Sequence, residues 1–400
     1  MRHTLLASAT AALVMLGGCA WMPWMGADPS QPAAAATPVG GQRMPHIVWS
    51  GNLDYTPLGS VPGVSQPALI QLHGSGPLAA QAALAAGSGD HYLRILSLAS
   101  GSELRRVALD EAVDSGALQL ANGLVVVGDI VGDLYGIDPD AGVIRWRMRL
   151  SSYLLGRPVA IGKDLLVQTM DNRIYRISAA GKKQWSFDGY AAGISMHASP
   201  SPLVTGGRVL VVLLSGDVVA LDGKSGDLLW RKQLLLSARA TVLSELKTPI
   251  ADPLLVKDLH YGVDHIVPAL LVSLYQGELH LLQAVSGEKR GVRKLSLRAS
   301  PLLDGGTLFL AAADGSLRAI DIRHGETLWK RSLGSHELTG IVMLQHQLWV
   351  TDAQGVVYHI SRDGQHQQQI ALPGEINRAP VVTPLGVVVR TSLGGIYLIN

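Results

Sequence analysis

A unit with fixed spacing recurs along the chain and restricts its fold more than any other feature. In three copies a glycine follows an aspartate by four residues and a tryptophan follows the glycine by four more: Asp138, Gly142 and Trp146; Asp222, Gly226 and Trp230; Asp321, Gly325 and Trp329. The residues ahead of each aspartate have the composition of a β-strand. An aspartate accepts hydrogen bonds from turn amides, and glycine adopts a positive φ there. These residues therefore predict β-hairpins with a structural tryptophan on the outgoing strand.

Weaker copies of the unit extend the pattern to the end of the chain. The tryptophan position recurs, mostly at spacings of about 40 residues, at Trp49, Arg105, Trp146, Trp185, Trp230, Gly291, Trp329 and Gln368. An apolar run and a proline-led segment precede most copies, so each unit contains four short strands. The chain ends on a unit without its tryptophan strand, and Trp49 supplies that strand. Residues 46–400 are thus predicted to form an all-β, eight-bladed β-propeller closed by its N- and C-terminal strands.

The N-terminus predicts export and lipidation. A positive start precedes an apolar stretch from residue 5 to 16 that is too short to span a bilayer. It ends on Leu-Gly-Gly-Cys19, which resembles the lipobox of bacterial lipoprotein signal peptides. The resemblance implies a signal peptide over 1–18, a lipid anchor on Cys19 and an outer-membrane location facing the periplasm. An ordinary secretory signal is the alternative. Residues 19–45, rich in Pro, Ala and Gly, predict a flexible tether.

Composition argues against several kinds of partner and site. The net charge is only +2, without a basic run, which disfavours nucleic acid. His260 and His265 are five residues apart with no cysteine or acidic cluster near them, so we expect a solvated loop and no metal. One carboxylate per repeat indicates turns rather than catalysis. No residue pattern considered so far thus indicates an enzymatic site or a bound cofactor.

The spacing Ala-x-Asp-x3-Gly-x3-Trp resembles the tryptophan-docking repeat of the pyrroloquinoline-quinone propeller superfamily, over residues 46–400. Quinone-dependent dehydrogenases of that superfamily resemble one another in a vicinal disulfide, which a chain with one cysteine cannot form. The signal, tether, length and blade count resemble instead the BamB family of outer-membrane assembly lipoproteins. This resemblance implies a non-enzymatic scaffold of a multi-protein complex that binds BamA and assists the insertion of outer-membrane β-barrels. The alternative is a periplasmic propeller receptor for another envelope protein or a polysaccharide.

The resemblance also implies partner-binding residues in two segments. In the first, Ile194 and Met196 match apolar positions of the family's contact strip, and His197 stands where the family has arginine. Ile194 and Met196 also fit one face of a strand, so a role in the core stays open. The second segment is residues 240–253. The family's paired aspartates fall there on Thr248 and Ile250, with Glu245 and Asp252 as nearby acids out of register.

Overall fold

The repeated units fold into four-stranded β-sheets, the blades, which are arranged in a ring. The computed structural model describes residues 44–53, 65–74, 80–154, 156–189, 199–235, 248–261 and 265–400. Over these residues the strands form eight four-stranded antiparallel sheets and no helix. No helix that could cross a membrane is therefore found in the described ranges. The predicted all-β, eight-bladed propeller is confirmed.

The first strand, β1 (Ile47–Asn52), belongs to the last blade. Blade one contains β2 (Ala68–Gln71), β3 (Ala82–Gly87), β4 (Tyr92–Ser97) and β5 (Glu103–Ala108). Blade two contains β6 (Leu118–Gln119), β7 (Val125–Gly128), β8 (Asp133–Asp138) and β9 (Val143–Arg149). Blade three contains β10 (Val159–Ile161), β11 (Asp164–Gln168), β12 (Arg173–Ile177) and β13 (Lys183–Asp188). Blade four contains β14 (Leu203–Thr205), β15 (Arg208–Val212), β16 (Asp217–Asp222) and β17 (Leu228–Gln233).

The second half of the chain repeats the arrangement. Blade five contains β18 (Leu254–Tyr261), β19 (His265–Ser273), β20 (Glu278–Gln283) and β21 (Lys289–Lys294). Blade six contains β22 (Leu302–Asp304), β23 (Thr307–Ala311), β24 (Ser316–Asp321) and β25 (Thr327–Ser332). Blade seven contains β26 (Leu338–Leu344), β27 (Gln347–Asp352), β28 (Val356–Ser361) and β29 (Gln367–Ala371). Blade eight contains β30 (Val381–Thr383), β31 (Gly386–Arg390), β32 (Gly395–Ile399) and β1.

The two ends of the chain close the ring, as predicted. Strand β1 pairs antiparallel with β32, and Trp49 lies opposite Leu398. Beyond the strands, the backbone N–H groups of His46 and Asn400 donate to each other's carbonyls at 3.0 and 3.1 Å. The last blade therefore has four strands like the others, and β32 is not left as an unpaired edge open to aggregation.

The hydrophobic core is divided among the contacts between blades. The middle strands are buried on both faces, as in β7 and β23, whereas outermost strands such as β9 and β17 are largely exposed. Each of eight apolar clusters is shared by two consecutive blades, and one joins blade eight to blade one through Trp49 and Leu84. The innermost strand β2 also contacts the innermost strands β6 and β30 of its two neighbouring blades. Each blade is thus held by its two neighbours.

The segment that contains His260 and His265 departs from the expected loop. His260 lies in β18 opposite Ile266 of β19, and His265 is itself in β19 opposite Tyr261. The expectation of a loop was wrong because the apolar and β-branched residues on both sides extend a long hairpin. Pairing within that hairpin satisfies backbone groups that a loop would leave to water.

Candidate functional site

The repeated aspartates close the turn between the third and fourth strands of their blades. The Asp138 Oδ1 accepts hydrogen bonds from the backbone N–H of Asp140 and Ala141 at 3.1 and 2.9 Å. Asp222 and Asp321 accept the same pair of hydrogen bonds from the backbone N–H groups two and three residues later in the chain. Each carboxylate is therefore committed to its own turn.

These bonds lower the pKa values of the three carboxyls. Amides of Ser225 and Lys224 lower the pKa of Asp222, and the amide of Arg323 does the same for Asp321. Partial burial raises the pKa of Asp138, but the amide of Ala141 and the guanidinium of Arg145, 2.6 Å away, reverse that effect. All three are thus held ionised as hydrogen-bond acceptors, which is the reverse of what a general acid needs.

The repeated tryptophans dock on the turn glycine of the next blade. A Cβ added to Gly181 would lie 2.6 Å from the ring of Trp146, and one added to Gly226 would lie 2.7 Å from the ring of Trp185. The indole N–H of Trp146 also donates to the Ala179 carbonyl at 3.0 Å. Glycine is required at this position both because φ is positive and because a ring covers it.

Residues that replace tryptophan keep the same place in the strand pairing. Gly291 lies opposite Leu281 in blade five, just as Trp230 lies opposite Ala220 in blade four. The side chain of Arg105 takes the place of a ring over Gly142, and its Nη1 donates to the Ala141 carbonyl at 3.3 Å. The docking position is therefore structural even where its residue changes.

Two buried aspartates stabilise a different turn, which joins the second and third strands of blades two and seven. The Asp129 Oδ1 accepts from the amides of Val131 and Asp133, and its Oδ2 accepts from the Tyr135 hydroxyl at 3.0 Å. Asp352 and Tyr358 repeat the arrangement at 2.9 Å. Burial and the adjacent carboxylate raise the pKa of each tyrosine. Both hydroxyls thus remain protonated donors that fix the hairpin.

A polar network joins the starts of the inner strands of blades six to eight. The Arg298 guanidinium donates to Glu337 at 3.2 Å and to the Asn377 side chain at 2.8 Å. The Tyr275 hydroxyl of blade five donates to the same Glu337. Burial lowers the pKa of Arg378, which the carboxylates of Asp114 and Asp252 oppose. Sequence reasoning missed this network, although prolines close behind Arg298 and Arg378 mark where these inner strands begin.

The predicted partner-binding residues differ in burial and in hydrogen bonding. Thr248 is buried, so its side chain offers little surface, and Ile250 is half-buried. The Asp252 Oδ1 accepts from the Ser201 amide at 2.6 Å, and the Asp252 amide donates to the Ser300 hydroxyl at 2.9 Å. Asp252 thereby ties three consecutive blades together. Five further predicted positions lie outside the described residues: Cys19, Ile194, Met196, His197 and Glu245.

No group of three or more metal-ligating side chains occurs in the described part of the chain. The carboxylates described above belong to turns and to the inner-strand network.

Comparison with known proteins identifies the family. The sequence model of the family described as outer membrane protein assembly factor BamB matches residues 89–331 and 313–400. The chain belongs to the BamB family. BamB of Yersinia pestis is 25% identical over 291 residues, which cover 72% of this chain and 71% of the relative. BamB of Escherichia coli strain K12 is 23% identical over 322 residues, which cover 77% of this chain and 79% of the relative.

Solved structures agree on the fold. The crystal structure of BamB from Moraxella catarrhalis matches with a TM-score of 0.68 at 21% identity, over 85% of this chain and 100% of that one. A quinohemoprotein alcohol dehydrogenase from Pseudomonas putida HK5 matches with a TM-score of 0.66 at 11% identity, over 89% of this chain and 76% of that one. Because an enzyme shares the propeller, the BamB assignment depends on the sequence match and not on the fold.

Proposed function

We propose that this member of the BamB family is a lipid-anchored scaffold of the outer-membrane β-barrel assembly machinery. It faces the periplasm and binds a BamA-type barrel protein without catalysing a reaction. The observation that carries the proposal is the match of the BamB family model to most of the chain. The repeated carboxylates support it, because each is used inside its own turn.

The closed propeller suits a scaffold. Eight apolar clusters between blades hold the inner and middle strands, so loops at the rim are presented from a rigid base. A rigid base limits the entropy lost when a partner binds. This is the physical reason for using a propeller where no chemistry takes place.

The partner contact is assigned to the strip Ile194 to His197 and to the segment 240–253. The family's acidic pair is replaced there by Thr248 and Ile250, so little charge is left to pair with a basic partner. Binding at such a surface depends on a few apolar anchors. We therefore expect Met196 and Ile250 to contribute more than Glu245 or Asp252, and binding to depend weakly on salt.

The anchor is assigned to Cys19, the only cysteine of the chain. Two or more acyl chains anchor a protein stably, whereas one gives only marginal binding. Mass spectrometry of the protein extracted from envelopes tests the assignment. An acylated N-terminal Cys19 is the expected result, and an unmodified cysteine contradicts it.

Affinity capture from detergent-solubilised envelopes tests the function. The wild-type protein should capture a BamA-type barrel protein, and Met196→Asp should lose it while keeping its thermal midpoint. Leu228→Asp, a matched change at an exposed leucine of β17, should capture normally. A lowered midpoint in Met196→Asp places Met196 in the core instead. Failure of the wild-type protein to capture the barrel protein refutes the proposed function.

A further inference from the structure

The contact between blades five and six lacks a docking side chain. Gly291 of β21 occupies the tryptophan position of blade five, so no ring extends toward blade six. The turn glycine that should receive it is Gly325, where an added Cβ meets nothing within 4 Å. At Gly287 and Gly364 the corresponding Cβ would collide with the rings of Trp230 and Trp329. The space that a tryptophan ring fills in the neighbouring contacts is therefore empty over Gly325.

The result is a cavity of about 200 Å³ between blades five and six. Its walls are apolar and include Leu281, Leu310, Ile320 and Ile322, with Gly291 and Gly325 at the places of ring and turn. It is partly open to solvent. An apolar cavity of about 150 Å³ binds benzene, so this one has room for a larger, two-ring group.

The residue whose carbonyl accepts from the indole in other interfaces has a counterpart in register at the cavity. In three other interfaces the indole N–H donates to the carbonyl one residue after the aspartate position. These carbonyls belong to Leu98, Ala179 and Gly223, at 2.8, 3.0 and 3.2 Å. The corresponding residue here is Ile322, which follows Asp321 and lines the cavity. Size, apolar walls and acceptor together match an indole.

The strand beside the cavity is strongly cationic. Outermost strand β21 carries Lys289, Arg290, Arg293 and Lys294, against the acids Glu278 and Glu288. The Arg293 guanidinium reaches across to donate to the Gly325 carbonyl at 3.1 Å, so positive charge lies at the cavity itself. An occupant with negative charge near its ring is therefore favoured.

We propose that this cavity binds an indole ring presented by an acidic polypeptide segment. A polypeptide fits better than a small molecule because the cationic row spans six residues of strand, roughly 20 Å. Strand β21 is the outermost of its sheet, and among the described strands it pairs only with β20, so an extended segment can lie along its other edge. This site does not depend on the proposed BamA-type partner, so either proposal can fail without the other.

Calorimetric titration of the full-length protein tests the site. The probes are the peptide Asp-Glu-Trp-Glu-Asp, the same peptide with alanine in place of tryptophan, and free indole. The tryptophan peptide should bind saturably and the alanine peptide roughly tenfold or more weakly, because the ring supplies most of the buried apolar area. Tryptophan peptide that binds no better than alanine peptide overturns the proposal. Free indole that binds as tightly as the tryptophan peptide overturns its polypeptide part.

Two variants at Gly291 locate the binding. Gly291→Trp should fill the cavity, raise the thermal midpoint and abolish peptide binding. Gly291→Ala is the matched control, because its Cβ meets only the Leu281 Cβ at 3.9 Å and should leave binding intact. Methyl NMR of the wild-type protein decides the question even if Gly291→Trp does not fold. Indole should shift the methyl signals of Leu281, Leu310 and Ile320, and unchanged signals there refute the site.

Discussion

At the turn position of each unit, glycine meets two requirements that mutation can separate. Gly226 and Gly325 have similar backbone conformations, with φ of 82° and 70°. Only Gly226 lies under a tryptophan ring. A side chain at either residue is strained by the left-handed backbone, and at Gly226 it also collides with Trp185.

Gly226→Ala should therefore destabilise the protein more than Gly325→Ala. The strained backbone costs about 1–2 kcal/mol at both sites, and overpacking against Trp185 adds roughly 1–3 kcal/mol at Gly226 only. Chemical denaturation of the two variants measures the difference. Equal losses of stability would mean that the ring over Gly226 adjusts freely and that docking contributes little.

The turn carboxylates predict how stability depends on pH. The amides of Ser225 and Lys224 lower the folded-state pKa of Asp222 below its ordinary value, so its contribution is present above about pH 4. That contribution is lost as the pH falls through the lowered folded-state pKa. Asp222→Ala should lower the thermal midpoint at pH 7, and the difference from wild type should shrink toward pH 2.

Asp222→Asn is the control for charge. Its side-chain oxygen can accept the same amide bonds, so it should lose less stability at pH 7 than Asp222→Ala. A difference between wild type and Asp222→Ala that stays constant from pH 7 to pH 2 contradicts a role for the ionised carboxylate.

At the scale of elements, the last strand decides whether the ring is closed. Strand β32 pairs with both β31 and β1 and buries Ile396, Leu398 and Ile399 completely. Two apolar clusters, shared with blades one and seven, depend on these side chains. The strand therefore joins the two ends of the chain through packing as well as through backbone hydrogen bonds.

Deletion of residues 396–400 should destabilise the entire propeller. Burial of an aliphatic side chain contributes about 1.5–3 kcal/mol, so three of them represent roughly 5 kcal/mol or more. This loss is comparable to the total stability of many domains. Thermal unfolding followed by circular dichroism measures it. A truncated protein with an unchanged midpoint shows that β32 does not close the ring.

At the scale of the whole molecule, repetition made the fold predictable. The eight docking positions gave the number of blades and the pairing of β1 with β32, because the register repeats even at Arg105, Gly291 and Gln368. The inner-strand network around Glu337 was not predictable, since only the closed ring brings residues of blades five to eight together. The cavity at Gly291 was not predictable either, because its volume depends on the distance between blades five and six when no ring fills the contact.

The candidate partner surface was less predictable than the fold. No repeat constrains segments such as Ile194 to His197, because they lie between the units and not within them. Asp252 illustrates the limit. The sequence shows only an acid close to the proposed contact. In the structure its side chain and its backbone amide form hydrogen bonds with the two neighbouring blades. The contact strip therefore stays a prediction.

The binding affinity between the purified full-length protein and a purified BamA-type barrel protein tests the central claim most directly. The titration should be carried out in detergent at low and at high salt. We predict saturable binding with a Kd that changes little with salt, because Thr248 and Ile250 of the proposed contact segment carry no charge. Absence of saturable binding at either salt concentration contradicts the assignment of this protein as a scaffold for such a partner.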